Sequence, residues 1–198
     1  MQRYGGSNFP NIGYIRFGLG HGGETIPVGD WNSGDACSLQ LKGWGLTISS
    51  WTTYLTGMLN YEGSLHSQVQ LMVGITPMSG NAVPDAVARA AVPLNIGIGS
   101  QGLESSDVNN CAGSTADWCN LFNTYAGKVP LELQTLAQSC PDGSCATGSL
   151  ATLLPFATAN HVTILEIYYQ DWLVAYDSNY RGYFPSYQAV LQNAATGH

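Results

Sequence analysis

The sequence predicts an α/β protein in which parallel strands alternate with helices, and three observations support this fold class. Five short apolar runs typical of strands recur along the 198 residues, too widely spaced for hairpins. Segments with helical periodicity lie between these runs. Long loops rich in Gly, Ser, Asn and Asp follow the strands and precede the helices, which is the side of an α/β fold where ligands bind.

The elements are predicted from apolar periodicity and from proline and capping residues. We expect strands at residues 12–19, 69–76, 94–99, 129–136 and 162–169. We expect helices at residues 45–59, 84–92, 114–125, 149–159 and 185–195. The long strand-to-helix loops are then residues 20–43, 77–82, 100–113, 137–147 and 170–183, and loops of such length are commonly functional.

Five β/α units fit either an open doubly wound sheet or part of a (β/α)8 barrel. A complete barrel typically needs about 250 residues, so this chain is shorter by two or three units. We therefore expect a partial or complete TIM-barrel-like architecture. Residues 1–198 are interpreted as a single barrel-type domain that forms the C-terminal portion of a longer barrel.

The composition indicates a neutral polar ligand such as a carbohydrate. Only 10% of the residues are charged, while the chain contains 24 Gly, 11 Tyr and 5 Trp. The net charge of −7, with no cluster of Lys or Arg, argues against nucleic acid and anionic lipid. No apolar run is long enough to span a membrane, so membrane insertion is not expected.

The cysteines indicate an oxidising compartment. Two locally close pairs, Cys111/Cys119 and Cys140/Cys145, lie in loop-like sequence and are expected to form disulfides, leaving Cys37 over. A zinc site is the alternative, but these spacings do not match its usual ligand pairs. We expect an extracellular or periplasmic protein whose signal peptide lies outside this chain, since the first residues contain no hydrophobic signal region.

Two glycine patterns resemble a dinucleotide-binding motif, one from Gly97 to Gly102 and one at Gly18, Gly20 and Gly23. The first leads into a cysteine-containing loop rather than a helix, so nucleotide binding is not expected. His21 and Glu24 offer two metal ligands on a glycine-rich loop, an arrangement more typical of a polar ligand-binding edge. We expect neither a metal nor another cofactor.

Three glutamates are the candidate chemical groups. Glu24 follows the first strand after a glycine-rich turn, while Glu132 and Glu166 lie within the fourth and fifth strands. Alternation places each strand glutamate on the face opposite its Leu or Ile neighbours, which is the interior of a barrel. An unpaired carboxylate there is costly to desolvate, so it is either paired or used in chemistry. The structural alternative is an internal pair between a glutamate and Arg16.

The order of these glutamates resembles the C-terminal five units, strands 4 to 8, of clan A glycoside hydrolases, a superfamily of retaining (β/α)8 barrels. The resemblance rests on placement: Glu24 follows the first strand here, and Glu132 lies three strands later. It implies that Glu24 is the acid/base and Glu132 the nucleophile of a retaining mechanism.

Other polar and aromatic residues are candidates for contacting the sugar. Aromatic faces beside amides and carboxylates suit pyranose rings. The predicted substrate-binding residues are His21, Trp31, Gln101, Gln134, Glu166, Tyr168, Asp171 and Trp172. Trp118 is a further candidate, as are Tyr169 and Gln170, which lie between Tyr168 and Asp171.

The sequence thus predicts a glycosidase that cleaves a carbohydrate by a retaining two-carboxylate mechanism. The alternatives are a non-catalytic carbohydrate-binding or surface protein on the same scaffold, and an inactive truncated barrel. A truncated barrel would expose an apolar sheet edge, and either self-association or a missing N-terminal barrel half would cover it.

Overall fold

The computed structural model describes residues 12–29, 31, 34–65, 69–75, 82–110 and 117–196. Within these ranges five strands form one parallel sheet in the order β1-β2-β3-β4-β5. The strands are β1 (Tyr14–Phe17), β2 (Gln70–Ile75), β3 (Gly97–Leu103), β4 (Leu131–Thr135) and β5 (Ile164–Glu166). The α/β class with parallel strands alternating with helices is confirmed.

Eight α-helices lie in the described ranges, and two single turns of 3₁₀ helix occur at His21–Gly23 and Val92–Leu94. The α-helices are α1 (Ala36–Gly43), α2 (Ile48–Ser64), α3 (Ala82–Ala91), α4 (Asp107–Asn110), α5 (Asp117–Tyr125), α6 (Leu150–Ala159), α7 (Tyr169–Tyr176) and α8 (Ser186–Thr196).

The sheet is strongly curled. In a flat sheet, four strand spacings of about 4.8 Å would separate β1 from β5 by roughly 19 Å. The Tyr14 hydroxyl on β1 nevertheless donates a hydrogen bond to the Glu166 carboxylate on β5. The two side chains can meet only if the sheet curves around them, so the five strands form a half-barrel of TIM-barrel type.

Alternation along the strands separates an apolar outer face from a polar inner face. Val73, Ile98 and Leu133 face outward into the main core, which α2, α3, α5 and α6 complete. The inner face carries charged and polar side chains together with glycines. A second, smaller core of Leu150, Val174 and Tyr187 joins α6, α7 and α8.

Several predicted boundaries were wrong. The strand predicted at 94–99 begins at Gly97 and continues to Leu103, because Val92–Leu94 forms a 3₁₀ turn that ends at Asn95 in the left-handed conformation. The loop predicted at 20–43 contains α1, whose first turn is capped by Asp35 accepting a hydrogen bond from the Ser38 amide.

The predicted last strand is also too long. β5 ends at Glu166, and α7 occupies Tyr169–Tyr176 inside the predicted loop 170–183. Asp171 caps this helix, since its carboxylate accepts a hydrogen bond from the Tyr168 amide at 3.2 Å. The apolar and aromatic residues from Tyr169 onward therefore belong to a helix, whose buried Val174 and Ala175 pack against α6 and α8.

Cys140 and Cys145 form a disulfide, as predicted, and Cys37 is an exposed free thiol. Cys119 is buried in α5, while Cys111 lies outside the described residues. None of the described helices is both long enough and apolar enough to cross a membrane.

Candidate functional site

The inner face of the half-barrel holds a buried carboxylate, Glu132. Its side chain is 0% exposed, and it projects from β4 between Leu131 and Leu133, which face the outer core. The predicted alternation is therefore confirmed at this residue. Burying a charged carboxylate is costly unless it is paired, so its partners decide what this residue can do.

Arg16 on β1 supplies the pairing across the half-barrel. Its Nη1 donates to Glu132 Oε1 at 2.5 Å and lies 3.1 Å from Glu166 Oε2, while its Nη2 donates to Gln134 Oε1 at 3.1 Å. One guanidinium thus connects β1 to β4 and β5. The internal pair with Arg16, considered above as the structural alternative, is present and includes both strand glutamates.

Tyr14 completes this cluster. Its hydroxyl donates to Glu166, and burial, together with the hydrogen bond to that carboxylate, raises the pKa of Tyr14. Tyr14 and Arg16 are two residues apart on β1, so they share the inner face. We define the carboxylate cluster as Tyr14, Arg16, Glu132, Gln134 and Glu166.

Burial and the neighbouring negative charge of Glu166 raise the pKa of Glu132 to about 7, although Arg16 acts in the opposite direction. Its second oxygen, Oε2, has no hydrogen-bond partner among the described residues. A protonated Glu132 carboxyl can donate a hydrogen bond to Glu166, whereas two carboxylates can only accept. The raised pKa therefore has a clear geometric origin.

Gly99 on β3 makes room for this carboxyl group. A Cβ at position 99 would lie 2.6 Å from Glu132 Oε2 and 3.0 Å from its Cδ. Gly74, Gly99 and Glu132 are in register on β2, β3 and β4. Glycine inside a strand often marks such a close approach, and here the Glu132 carboxyl group takes the space that a side chain at position 99 would fill.

Replacing Gly99 by alanine is expected to displace the Glu132 carboxyl group and to destabilise the protein by about 1–3 kcal/mol, as overpacked cores generally are. Gly57→Ala is the matched control, since a Cβ at position 57 would meet no atom within 4 Å. Gly57 lies on α2, and alanine is favoured over glycine in a helix. Urea unfolding of both variants measures the difference. Equal stability of the two variants would contradict the close approach.

The loop after β1 carries Glu24 onto the inner face. At Gly74 a Cβ would lie 2.8 Å from the Gly23 carbonyl oxygen and 3.9 Å from the Glu24 Cα, so the loop crosses the inner face at the end of β2. The loop is held there because the Trp51 indole donates to the Thr25 carbonyl at 2.7 Å.

Glu24 and Glu132 consequently flank the same row of the sheet. The Glu24 backbone lies over Gly74, and Gly99 separates this position from Glu132 without a side chain between them. Two strand spacings correspond to about 10 Å between backbones, a distance that two glutamate side chains can shorten considerably.

Three of the predicted substrate-binding residues meet at one groove. Gln134, Glu166 and Trp172 line a groove of about 600 Å³ beside β5. The Trp172 side chain is 46% exposed and stacks on Tyr176 with ring centroids 5.4 Å apart. Gln101 is in register with Gln134 on the neighbouring strand, so it belongs to the same face.

The remaining predicted contacts are arranged differently. His21 is exposed and lies beside Gly29. Trp31 is only 6% exposed and packs in the main core. The Lys42 ammonium lies 4.6 Å from the centre of the Trp31 ring. The Tyr168 hydroxyl donates to the Leu136 carbonyl at 3.1 Å. These contacts give Trp31 a packing role and tie Tyr168 to the loop after β4.

Asp171 is 0% exposed, and its carboxylate accepts hydrogen bonds from the Ser139 amide at 3.0 Å and from the Ser139 hydroxyl at 2.6 Å. Burial raises its pKa, and these hydrogen bonds oppose that effect. Its contacts are those of a structural residue joining α7 to the loop after β4. The side chain of Trp118 lies outside the described part of the chain.

The role of Tyr14 is not predicted from the sequence, although its alternation with Arg16 places both on one face. In the described ranges no group of three His, Cys, Asp or Glu side chains is arranged to hold a metal ion. No family model, curated protein or solved structure matches this chain.

Proposed function

We propose that this protein contributes the catalytic half of a retaining glycoside hydrolase. The observation that supports the proposal is the glycine row from Gly74 through Gly99 to Glu132, with the Glu24 backbone over one end and the buried Glu132 carboxyl group at the other. Glycoside hydrolysis requires two carboxylates that flank the scissile bond, and this row places the backbones of two glutamates about two strand spacings apart.

In this proposal Glu132 is the nucleophile. An ionised Glu132 oxygen forms a bond to the anomeric carbon while the glycosidic carbon–oxygen bond breaks. The leaving oxygen takes a proton from Glu24, which then removes a proton from the water that releases the sugar from Glu132. Arg16 holds the attacking carboxylate in place through its 2.5 Å contact.

Trp172 and Gln134 are proposed to bind the sugar beside this centre. An exposed indole offers a stacking surface, and an amide and a carboxylate, Gln134 and Glu166, line the same groove. The half-barrel is proposed to supply strands 4 to 8 of the complete barrel. The Cys140–Cys145 disulfide favours an extracellular or periplasmic location.

Glu24→Gln tests the acid/base assignment. It is expected to lower kcat/KM for substrates with poor leaving groups by about 10²–10⁴-fold, because the departing oxygen loses its proton donor. The kcat/KM for aryl glycosides with good leaving groups should be affected much less, whereas kcat falls for these substrates as well, because Glu24 also activates the water of the second step. Steady-state kinetics on both substrate types provide the measurement, and an equal reduction of kcat/KM on both would contradict the assignment.

A non-catalytic carbohydrate-binding protein is the second candidate. It is favoured by the complete burial of Glu132 and by the ion pair of this residue with Arg16, features that a purely structural carboxylate would also have. Equilibrium binding to a glycan panel, beside a reducing-end assay, separates the two functions. Affinity that depends on Trp172 without any released reducing ends would favour binding alone.

A further inference from the structure

The carboxylate cluster contains two acidic side chains and one basic side chain. Arg16 on β1 is its cation, and it contacts Glu132 on β4 and Glu166 on β5 through the same nitrogen, Nη1. Glu132 Oε1 lies 2.5 Å from Nη1, and Glu166 Oε2 lies 3.1 Å from it. The two oxygens are therefore no farther apart than the sum of these two distances. Tyr14 and Gln134, the other members of the cluster, bring no charge at neutral pH.

We propose that Glu132 and Glu166 hold a single proton between them at neutral pH, so that Glu166 is a positioning residue that controls when Glu132 is ionised. With one proton, the cluster has one carboxylate against one guanidinium and is electrically neutral. Without it, two carboxylates oppose one guanidinium at a site where Glu132 is completely buried, and such an excess charge is costly.

The hydrogen bonds favour Glu132 as the carrier of this proton. Glu166 receives a hydrogen bond from Tyr14 and contacts Arg16, which stabilises its charged form. Glu132 contacts Arg16 through Oε1, while its Oε2 has no partner among the described residues. This asymmetry agrees with the raised pKa of Glu132.

The inference deepens the proposed hydrolysis and rests on it for its catalytic meaning. A protonated Glu132 cannot attack the anomeric carbon, so the acid limb of the rate profile follows loss of the shared proton. Removing the Glu166 carboxylate leaves a single acid beside Arg16, and Glu132 then ionises at lower pH.

The test is a titration of the protein labelled with ¹³C at the glutamate side-chain carboxyl, followed by NMR. Glu132→Gln assigns the signal of Glu132. In the unsubstituted protein we expect that signal to titrate close to neutral pH, and in Glu166→Gln we expect its midpoint to fall by at least about one pH unit, a tenfold change in proton affinity. Glu62→Gln on α2 is the control and should leave the midpoint unchanged.

Tyr14→Phe is a second variant that keeps both carboxylates in place. Loss of the hydroxyl removes the hydrogen bond that Tyr14 donates to Glu166, so the Glu132 midpoint is expected to shift. An unshifted midpoint in both variants, or a Glu132 signal that already titrates near its ordinary value, would overturn the inference. The titration needs no substrate, so it decides on proton sharing even where hydrolysis is not detected.

If hydrolysis is detected, the pH dependence of kcat/KM gives a second readout. The acid limb is expected to move to lower pH in Glu166→Gln by the same amount as the NMR midpoint. A purely structural Glu166 would lower the rate without moving the limb, and that result would overturn its proposed control of Glu132.

Discussion

Replacing Glu132 by glutamine is expected to lower glycoside turnover by about 10³-fold or more, because the amide cannot form the covalent glycosyl intermediate. The fold should persist. Glutamine has nearly the shape of the protonated carboxyl group, and its carbonyl oxygen can still accept the hydrogen bond from Arg16 at position Oε1. Turnover with a reducing-end assay and unfolding by urea measure the two effects.

Glu62→Gln is the control for this variant, since it makes the same chemical change on α2, away from the inner face. It should leave turnover unchanged. Full turnover in Glu132→Gln would remove the nucleophile assignment. Loss of both turnover and fold would instead show that the buried carboxyl group is needed for stability, and this result favours the carbohydrate-binding candidate.

Replacing Arg16 by methionine is expected to destabilise the protein by about 3–5 kcal/mol, because Glu132 and Glu166 then lose their shared cation. Methionine keeps an unbranched apolar stem but lacks the guanidinium group, so the loss reports mainly on charge and hydrogen bonding. Arg89→Met is the control, since Arg89 lies exposed on α3 and should change stability by less than about 0.5 kcal/mol.

The destabilisation should grow with pH. Folding raises the pKa of Glu132 from its ordinary 4.5 to about 7, so the native state binds the proton more tightly than the unfolded chain. The stability from this group is complete below pH 4.5 and is lost as the pH rises toward 7. Without Arg16 the carboxyl group is harder still to ionise, and the loss extends above that range.

Urea unfolding at pH 5 and pH 8 should therefore give a larger difference between Arg16→Met and the unsubstituted protein at the higher pH. A difference of less than about 1 kcal/mol at both values would show that the pair contributes as little as an exposed ion pair. A difference that decreases with pH would contradict the raised pKa of Glu132.

The alternation of β4 predicts correctly that Glu132 faces inward, because side chains of a strand alternate between its faces whatever the rest of the fold is. The ends of β5 are predicted less well. The run from Val162 to Tyr169 has strand-like composition throughout, but Asp171 caps a helix through the Tyr168 amide, and this local hydrogen bond ends the extended segment.

In the candidate site, too, some residues have the role that the sequence predicts and others do not. Trp31 and Trp172 each follow an aspartate in the sequence, yet Trp31 lies in the core and Trp172 lines a groove. Asp171 resembles a ligand-binding carboxylate in the sequence, but Ser139, which lies 32 positions earlier, occupies its oxygen. Only long-range packing decides between these outcomes.

The sequence by itself determined the α/β class, the parallel direction of the strands and the inward direction of Glu132, because these follow from local periodicity and connection length. The tertiary structure alone decided which groups meet inside the half-barrel. Tyr14 and Arg16 on β1 reach Glu132 and Glu166 because the sheet curls, and curvature is a property of all the strands together. This curvature brings together the groups on which the proposed proton sharing and the proposed chemistry depend.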